Sequence, residues 1–403
     1  MSLYRKLPLS RCIYRYFLLT CILPSIVILY VLFHFKFFCL SVHAKQKVDQ
    51  ICKSLHKKDS TGNLCLPLCV KEEINSVSCY SFKSTKRVKF KAEWKGTGII
   101  FKSPTRITPF HWYENGKKIY PSEKQFLTAL RAVVKNQLNL NLPVNTILRI
   151  MKKTIHSKDS DVLKQEEIDA LSTLVQDNEF LVLSFFHGND VFPRLIGTCG
   201  SHYATEYVEP LQVTSSLMAL TDNVEEWIQR LQMAAQILEL LKKLETDFQE
   251  PIHLCDIQLH HFGTHKEDES LRYMDLSKIY PKSIINRLFR NLTCQSDEDC
   301  EFYDCRSKCN RFSKTCAQGV TNNNFQVTCE KIFLGWRRSN TLIVPGLLLS
   351  EHTPSDLAAV LRHCSNPENG TGKPRRAPDA NSVKRMHELI VEIEQTFVSR
   401  IIP

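Results

Sequence analysis

Apolar and polar positions alternate over residues 87–102: Val88, Phe90 and Ala92 fall on one face, and Lys89, Lys91 and Glu93 on the other. That is the period of a half-buried strand. Trp94-Lys95-Gly96-Thr97-Gly98 supplies a turn and Ile99-Ile100-Phe101-Lys102 a second strand, so a hairpin is predicted. Residues 122–138 and 162–177 space their apolar side chains by three and four and predict helices. A buried segment over 179–186 and a second hairpin over 194–208 follow. The strongest helical pattern spans 224–244, where Trp227, Leu231, Ala234, Ala235, Leu238 and Leu241 share one side. Beyond it lie a histidine-rich loop, a six-cysteine segment over 294–329, a Pro/Gly/Arg linker over 366–380 and a terminal helix over about 382–399. No internal repeat is visible.

The amino terminus carries a different pattern. Residues 16–35 contain no Asp, Glu, Lys or Arg, a stretch long enough to cross a bilayer as one helix. Arg5, Lys6, Arg11 and Arg15 precede it without an intervening acid, whereas Lys36, Lys45 and Lys47 follow it. This bias predicts a cytoplasmic tail over 1–15, a transmembrane signal-anchor over 16–38, and a luminal remainder, the single-pass type II arrangement. A cleaved signal peptide is the alternative, with Val42-His43-Ala44 as a small-residue cleavage site; the apolar run is longer than a usual signal core. The excess of 53 basic over 42 acidic side chains is spread along the chain without aromatic interleaving, so nucleic-acid binding is not expected.

Thirteen of the sixteen cysteines lie after residue 45, a density that reads as disulfides in an oxidising compartment. Cys52, Cys65, Cys69 and Cys79 belong to a polar cysteine-rich module over 45–85. Cys294, Cys300, Cys305, Cys309, Cys316 and Cys329 form the later cluster, which has no C-x-x-C pair; three disulfides are expected there and no structural zinc. An odd count predicts at least one cysteine unpaired or paired to another molecule. Asn291-Leu-Thr293 and Asn369-Gly-Thr371 are glycosylation sequons if this part is luminal.

Strands, a long helix and then a loop with acids is the order in which a protein kinase places its chemistry. Such an enzyme needs a strand lysine for the nucleotide phosphates, a helix glutamate to orient it, an aspartate for the acceptor hydroxyl and a second aspartate for metal. VKFKAEWKGTGIIFK resembles the second and third kinase strands and makes Lys102 the lysine. EFLVLSFFHGNDVFPRLIGTCG resembles the end of the orienting helix and the fourth strand, with Glu179 as its partner. HLCDIQLHHFGTHKEDESLRYMDLSKI resembles the catalytic loop and metal-binding strand, with Asp256 as base and Asp275 on the metal.

Together these strings, with CQSDEDCEFYDCRSKCNRFSKTC and VTNNNFQVTCEKIF, resemble the divergent protein kinase domain 1 family, most closely its C-type branch. The resemblance covers nearly the whole chain from about residue 50. It implies a membrane-anchored, cysteine-rich, kinase-like protein of the endoplasmic reticulum: an α+β, two-lobed fold after an N-terminal transmembrane helix. The amino-terminal lobe would span 86–208, with a degenerate EF-hand-like helical insert over about 106–176, and the carboxy-terminal lobe 209–403. ATP with Mg²⁺ or Mn²⁺ is the implied cofactor, and a luminal protein the substrate or partner.

The sequence also departs from the kinase pattern. Residues 76–95 contain no glycine until the turn at Gly96, where a phosphate loop would need several. Gln258 replaces the usual lysine, His261 the asparagine that binds the second metal, and Ser277 the glycine after the metal aspartate; no A-P-E string follows. The calcium-loop positions of the insert hold His156, Lys158, Ser160 and Asp161, keeping only Glu167, so no calcium is expected. His260, His261 and His265 read as exposed loop histidines, with His261 able to contact a nucleotide-bound metal. Three functions stay open: a luminal phosphoryl-transfer enzyme, a pseudokinase scaffold that binds nucleotide or protein, and an independent cysteine-stapled ligand-binding ectodomain.

Overall fold

The hairpin anticipated at 87–102 lies at the centre of an antiparallel sheet in the computed structural model of the chain. The structure describes residues 21–34, 41–56, 61–80, 89–104, 112–114, 117–119, 121–157, 162–211, 224–316, 319–338, 341–370 and 372–401. Helices α1 (Leu23–His34), α2 (Ser41–His56) and α3 (Cys65–Cys69) precede strands β1 (Ile74–Cys79), β2 (Phe90–Trp94) and β3 (Thr97–Lys102). Lys95 and Gly96 both have positive φ, 52° and 77°, the geometry of a type I′ hairpin turn. A small hairpin, β4 (Trp112–Glu114) with β5 (Lys117–Ile119), leads into helices α4 (Glu123–Leu138), α5 (Val144–Ile155), α6 (Gln165–Leu174) and α7 (Asn178–Phe185). Strands β6 (Leu195–Cys199) and β7 (His202–Glu206) complete the sheet in the order β1-β2-β3-β7-β6.

Strand alternation gives this sheet two different faces. Phe90, Ala92, Ile99, Phe101 and Ala204 pack with Ala44 and Ile51 of α2, and the Phe90 and Phe101 rings stack 4.7 Å apart. Ile100 and Lys102 point the other way, toward the second lobe. The edge at β6 is covered: Leu64 donates its N–H to the Thr198 carbonyl, Gly200 to that of Thr61, and the Asn63 carboxamide accepts from Thr198. Gly62, at φ 138°, lies so close to Thr198 that a Cβ would fall 2.2 Å from its carbonyl oxygen, so this contact requires glycine.

A two-residue strand β8 (Glu209–Pro210) leads to the second lobe, built on helix α8 (Val224–Thr246), whose Trp227, Leu231, Ala234, Leu238 and Leu241 are buried as the pattern predicts. Short strands β9 (Ile252–Leu254) and β12 (Ile279–Pro281) pair, and β10 (Phe262–Thr264) pairs with β11 (Leu271–Tyr273) and β8. Then come α9 (Lys282–Arg290), the β13 (Glu301–Phe302) and β14 (Cys305–Arg306) pair, α10 (Asn324–Thr328), the β15 (Gly335–Arg338) and β16 (Thr341–Pro345) pair, α11 (Ser355–Ser365) and the terminal α12 (Ala380–Ile401).

The disulfides correct two expectations. The cluster over 294–329 does not close on itself. Cys294–Cys309 and Cys300–Cys316 lie within it, but Cys305 reaches back to Cys255 and Cys329 forward to Cys364. Cys52–Cys69 and Cys65–Cys199 hold the amino-terminal helices and the sheet together, and Cys79 is disulfide-bonded as well. All thirteen cysteines after residue 45 are therefore paired, and the odd count leaves no thiol among them. The sulfurs of Cys294, Cys300 and Cys309 come within 4.8 Å of one another because two disulfides are adjacent there, and disulfide sulfur is no thiolate ligand.

Helix α1 covers 12 residues, and among the described residues no helix is long and apolar enough to cross a membrane. The expected cytoplasmic tail and both ends of the expected anchor fall at 1–20 and 35–40, outside the described residues.

Candidate nucleotide cleft

Lys102 ends β3 on the inward face, and Glu179 sits in the first turn of α7, where the Asp177 side chain accepts its backbone N–H at 3.0 Å. Both side chains are buried, Glu179 completely, and they form an ion pair. Burial pushes the Lys102 pKa down, against the attraction of Glu179 and Asp275, while Lys89 adds to the lowering. The Asn178 amide donates to the carbonyls of Leu276 and Ile279, both at 3.0 Å, so the helix that carries Glu179 is tied to the segment just after Asp275.

The segment around Asp256 is held from below by the cysteine-rich region. Cys255 is bonded to Cys305, the Asp304 carboxylate accepts from the Ile257 N–H at 2.7 Å, and Lys331 pairs with Asp304. The Asn324 side chain grips β9 on both sides, accepting from the Leu254 N–H and donating to the Ile252 carbonyl. On the opposite side, the Asp256 carbonyl accepts from the Tyr273 hydroxyl at 2.6 Å and from His261 Nδ1 at 2.9 Å. Burial first, and then Asp275, Asp256 and Asp304, raise the Tyr273 pKa far above the ordinary phenol value, so it stays a neutral donor.

Asp275 accepts from the Ser277 N–H at 3.1 Å, and its other oxygen lies 3.6 Å from His261 Nε2. Burial alone would raise its pKa, but Lys89, Ser277 and His261 outweigh that and hold it below the usual carboxylate range. Lys89, Ile100, Lys102, His261 and Asp275 line one cleft of about 350 Å³, within the size of small-ligand sites. Of the four residues singled out in the sequence, Lys102 and Asp275 line this cleft and Glu179 backs Lys102. Asp256 is not among the lining residues: its carbonyl contacts His261, which is, and one oxygen of its carboxylate accepts from the Gln258 side-chain amide at 2.8 Å.

Three residues of the site were not anticipated. Lys89 immediately precedes β2, on the polar side of the alternating pattern, and lines the cleft with Ile100 and Lys102 of β3. Strand parity with Lys102 across the β2–β3 pair, in which Phe90 faces Phe101, is the signal that would have found it. Tyr80, its pKa raised to about 12 by burial, Tyr207 and Glu179, and the buried Glu206 also line the cleft.

The histidine loop needs correcting: only His260 is exposed. His261 is buried, and so is His265, which stands 3.0 Å from Asp268 and 3.5 Å from Glu206. Burial becomes affordable there because Arg272, also buried, pairs with Asp268 and Glu206 in the same network. In the helical insert the Glu167 carboxylate accepts from the Lys164 N–H at 2.9 Å and caps α6, while 158–161 lie outside the described residues. Asn291 and Asn369 are both exposed.

Two lobes, a buried lysine–glutamate pair and an aspartate lining the same cleft define a protein-kinase-like protein. Residues 171–367 match the protein-kinase domain of FAM69, and residues 5–156 match the amino-terminal cysteine-rich endoplasmic-reticulum region of the same family. The chain belongs to the FAM69 family of divergent kinase-like proteins, the family its strings resemble. Among solved structures it is similar to Rv3197 of Mycobacterium tuberculosis, solved in complex with erythromycin. The identity is 15% over 52% of this chain, the match spans 48% of that chain, about half its length, and the TM-score is 0.25. A likeness of that size carries no weight for fold or function.

Proposed function

We propose that this protein binds ATP with a divalent cation, Mg²⁺ or Mn²⁺, in the cleft and transfers a phosphoryl group to a hydroxyl of a secretory-pathway protein. The observation that carries the reading is the buried Lys102–Glu179 pair opening onto the same cleft as an ionised Asp275. The residues present fit such a ligand, with cationic Lys89 and Lys102 where phosphates would be held and Asp275 with His261 where a cation would be held. When bound, the metal nucleotide supplies the phosphoryl group and offsets its charge.

In this reading Glu179 fixes the Lys102 ammonium, which holds the phosphates in place. Asp256 orients the acceptor hydroxyl and takes its proton, which requires the carboxylate to turn from Gln258 toward the cleft. The disulfides and the cysteine-rich endoplasmic-reticulum description of the family support a luminal residence. The uncharged stretch over 16–35 and its flanking basic residues support a single type II anchor.

A pseudokinase scaffold is the second reading, favoured by the Gln258 amide that occupies Asp256 and by His261 in a metal-ligand position. Incubating the full-length chain with labelled ATP and a pool of secretory proteins separates the two. Transfer that is lost in both Asp256→Asn and Asp275→Asn supports the enzyme. Thermal stabilisation by metal ATP, abolished by Lys102→Met, without any transfer supports the scaffold. Neither transfer nor stabilisation would overturn the enzyme and the nucleotide-binding scaffold alike, leaving a scaffold that binds protein alone.

A further inference from the structure

Resting on the nucleotide reading for its place in the cleft, we propose that His261 makes the cation site select a transition-type divalent ion over Mg²⁺. A carbonyl oxygen can only accept, so the 2.9 Å contact of Nδ1 with the Asp256 carbonyl assigns the ring proton to Nδ1. The Tyr273 hydroxyl donates to the same oxygen, and its ring stands edge-on to His261, which is buried and held in one orientation. With Nδ1 turned to that carbonyl, Nε2 is the ring nitrogen left on the side of Asp275, in the wall of the cleft.

Asp275 has one oxygen occupied by the Ser277 N–H, leaving the other 3.6 Å from Nε2. That separation is too long for a hydrogen bond and near the spacing of two donors that share one cation. A histidine ligand whose second nitrogen is fixed by a carbonyl is the usual supported arrangement for a metal-binding imidazole. Mg²⁺ strongly prefers oxygen ligands in a tight octahedron, whereas ions along the first transition row accept mixed nitrogen and oxygen donors. An asparagine at position 261 would offer the harder oxygen; the histidine shifts the preference.

The test uses the full-length chain with Mn²⁺ as probe, alone and with a non-hydrolysable ATP analogue. Pulsed electron paramagnetic resonance reads nitrogen hyperfine coupling on bound Mn²⁺, and competition with Mg²⁺ gives the affinity ratio. The expected result is a nitrogen coupling in the wild type that disappears in His261→Asn, with the Mn²⁺-over-Mg²⁺ preference falling by about tenfold or more. Heavy-isotope labelling of histidine in the wild type, which must alter the coupling, serves if the variant fails to fold. Absence of bound Mn²⁺ at millimolar concentration, bound Mn²⁺ without nitrogen coupling, or an unchanged preference in His261→Asn overturns the proposal. Nucleotide binding is read separately from thermal shifts. Loss of nucleotide binding with the nitrogen coupling intact would remove the proposed function but not this site; the converse would remove this site alone.

Discussion

Cys255 is disulfide-bonded to Cys305, and this brings Asp304 to within 2.7 Å of the Ile257 N–H, so the loop beginning at Asp256 is fastened to the cysteine-rich segment both covalently and by a hydrogen bond. The cysteines of this lobe therefore belong to the architecture of the candidate site.

Replacing both Cys255 and Cys305 by Ser opens a loop of 50 residues in the unfolded chain, which corresponds to about 4 kcal/mol of lost stability. Denaturant unfolding under non-reducing conditions measures it. A loss under about 1 kcal/mol would mean the surrounding hydrogen bonds fix the loop without the bridge.

Lys102→Ala strands the fully buried Glu179 without its cation and is expected to cost about 3–5 kcal/mol. Lys102→Met combined with Glu179→Leu removes both charges and should recover most of that loss. Chemical denaturation of Lys102→Met, Glu179→Leu and the double decides it, and strictly additive effects would refute a coupled pair.

Asn324→Ala leaves the Leu254 N–H and the Ile252 carbonyl without partners in a buried setting, at about 2–4 kcal/mol. Asn324→Asp should be worse than the conservative size suggests, because a carboxylate would face the Ile252 carbonyl that now receives an N–H. Hydrogen exchange at Leu254 and neighbouring amides should accelerate in both variants.

His253 lies on β9, where burial and the nearby Lys282 push its pKa down to about 4 against a rise from Glu250. The folded value lies below the unfolded one, near 6.5. The unfolded chain therefore takes up the proton first, so stability is complete above about pH 6.5 and is lost as pH falls toward about 4. Between about pH 7 and pH 5 the wild type should lose about 2 kcal/mol through this group. His253→Gln should flatten that slope by the same amount, as followed by denaturation at each pH. His202, lowered to about 3 by burial and Lys47, acts in the same direction, so the double variant should be flatter still.

Local pattern made the hairpin ending at Lys102, the helices at 122–138 and 224–244 and the order of the site residues legible, because each is written in neighbouring residues. The Lys102–Glu179 contact, 77 positions apart, followed only from strings that resemble kinase elements. Helix α5 falls within the helical insert expected over about 106–176, and its Ile147, Met151 and Ile155, at four-residue spacing, give it a buried face. Cysteine partners were illegible in kind: spacing cannot say that Cys305 closes onto Cys255 and not onto a nearer neighbour. His265, expected exposed, is buried, and Lys89 carried no sign of a site, for a related reason. A polar face or a charged loop looks solvated until the opposing lobe supplies counter-charges: Glu206 for His265, and Asp275 for Lys89.

The bond from Cys65 to Cys199 spans 134 positions and joins the first helices to the last-added edge of the sheet. A polypeptide emerging from the ribosome cannot complete it until residue 199 has followed residue 65 into an oxidising space. Closure of this sheet edge therefore cannot precede synthesis of residue 199. A copy stranded among cytosolic reductants would keep its primary sequence but lack the covalent closure on which the sheet edge depends.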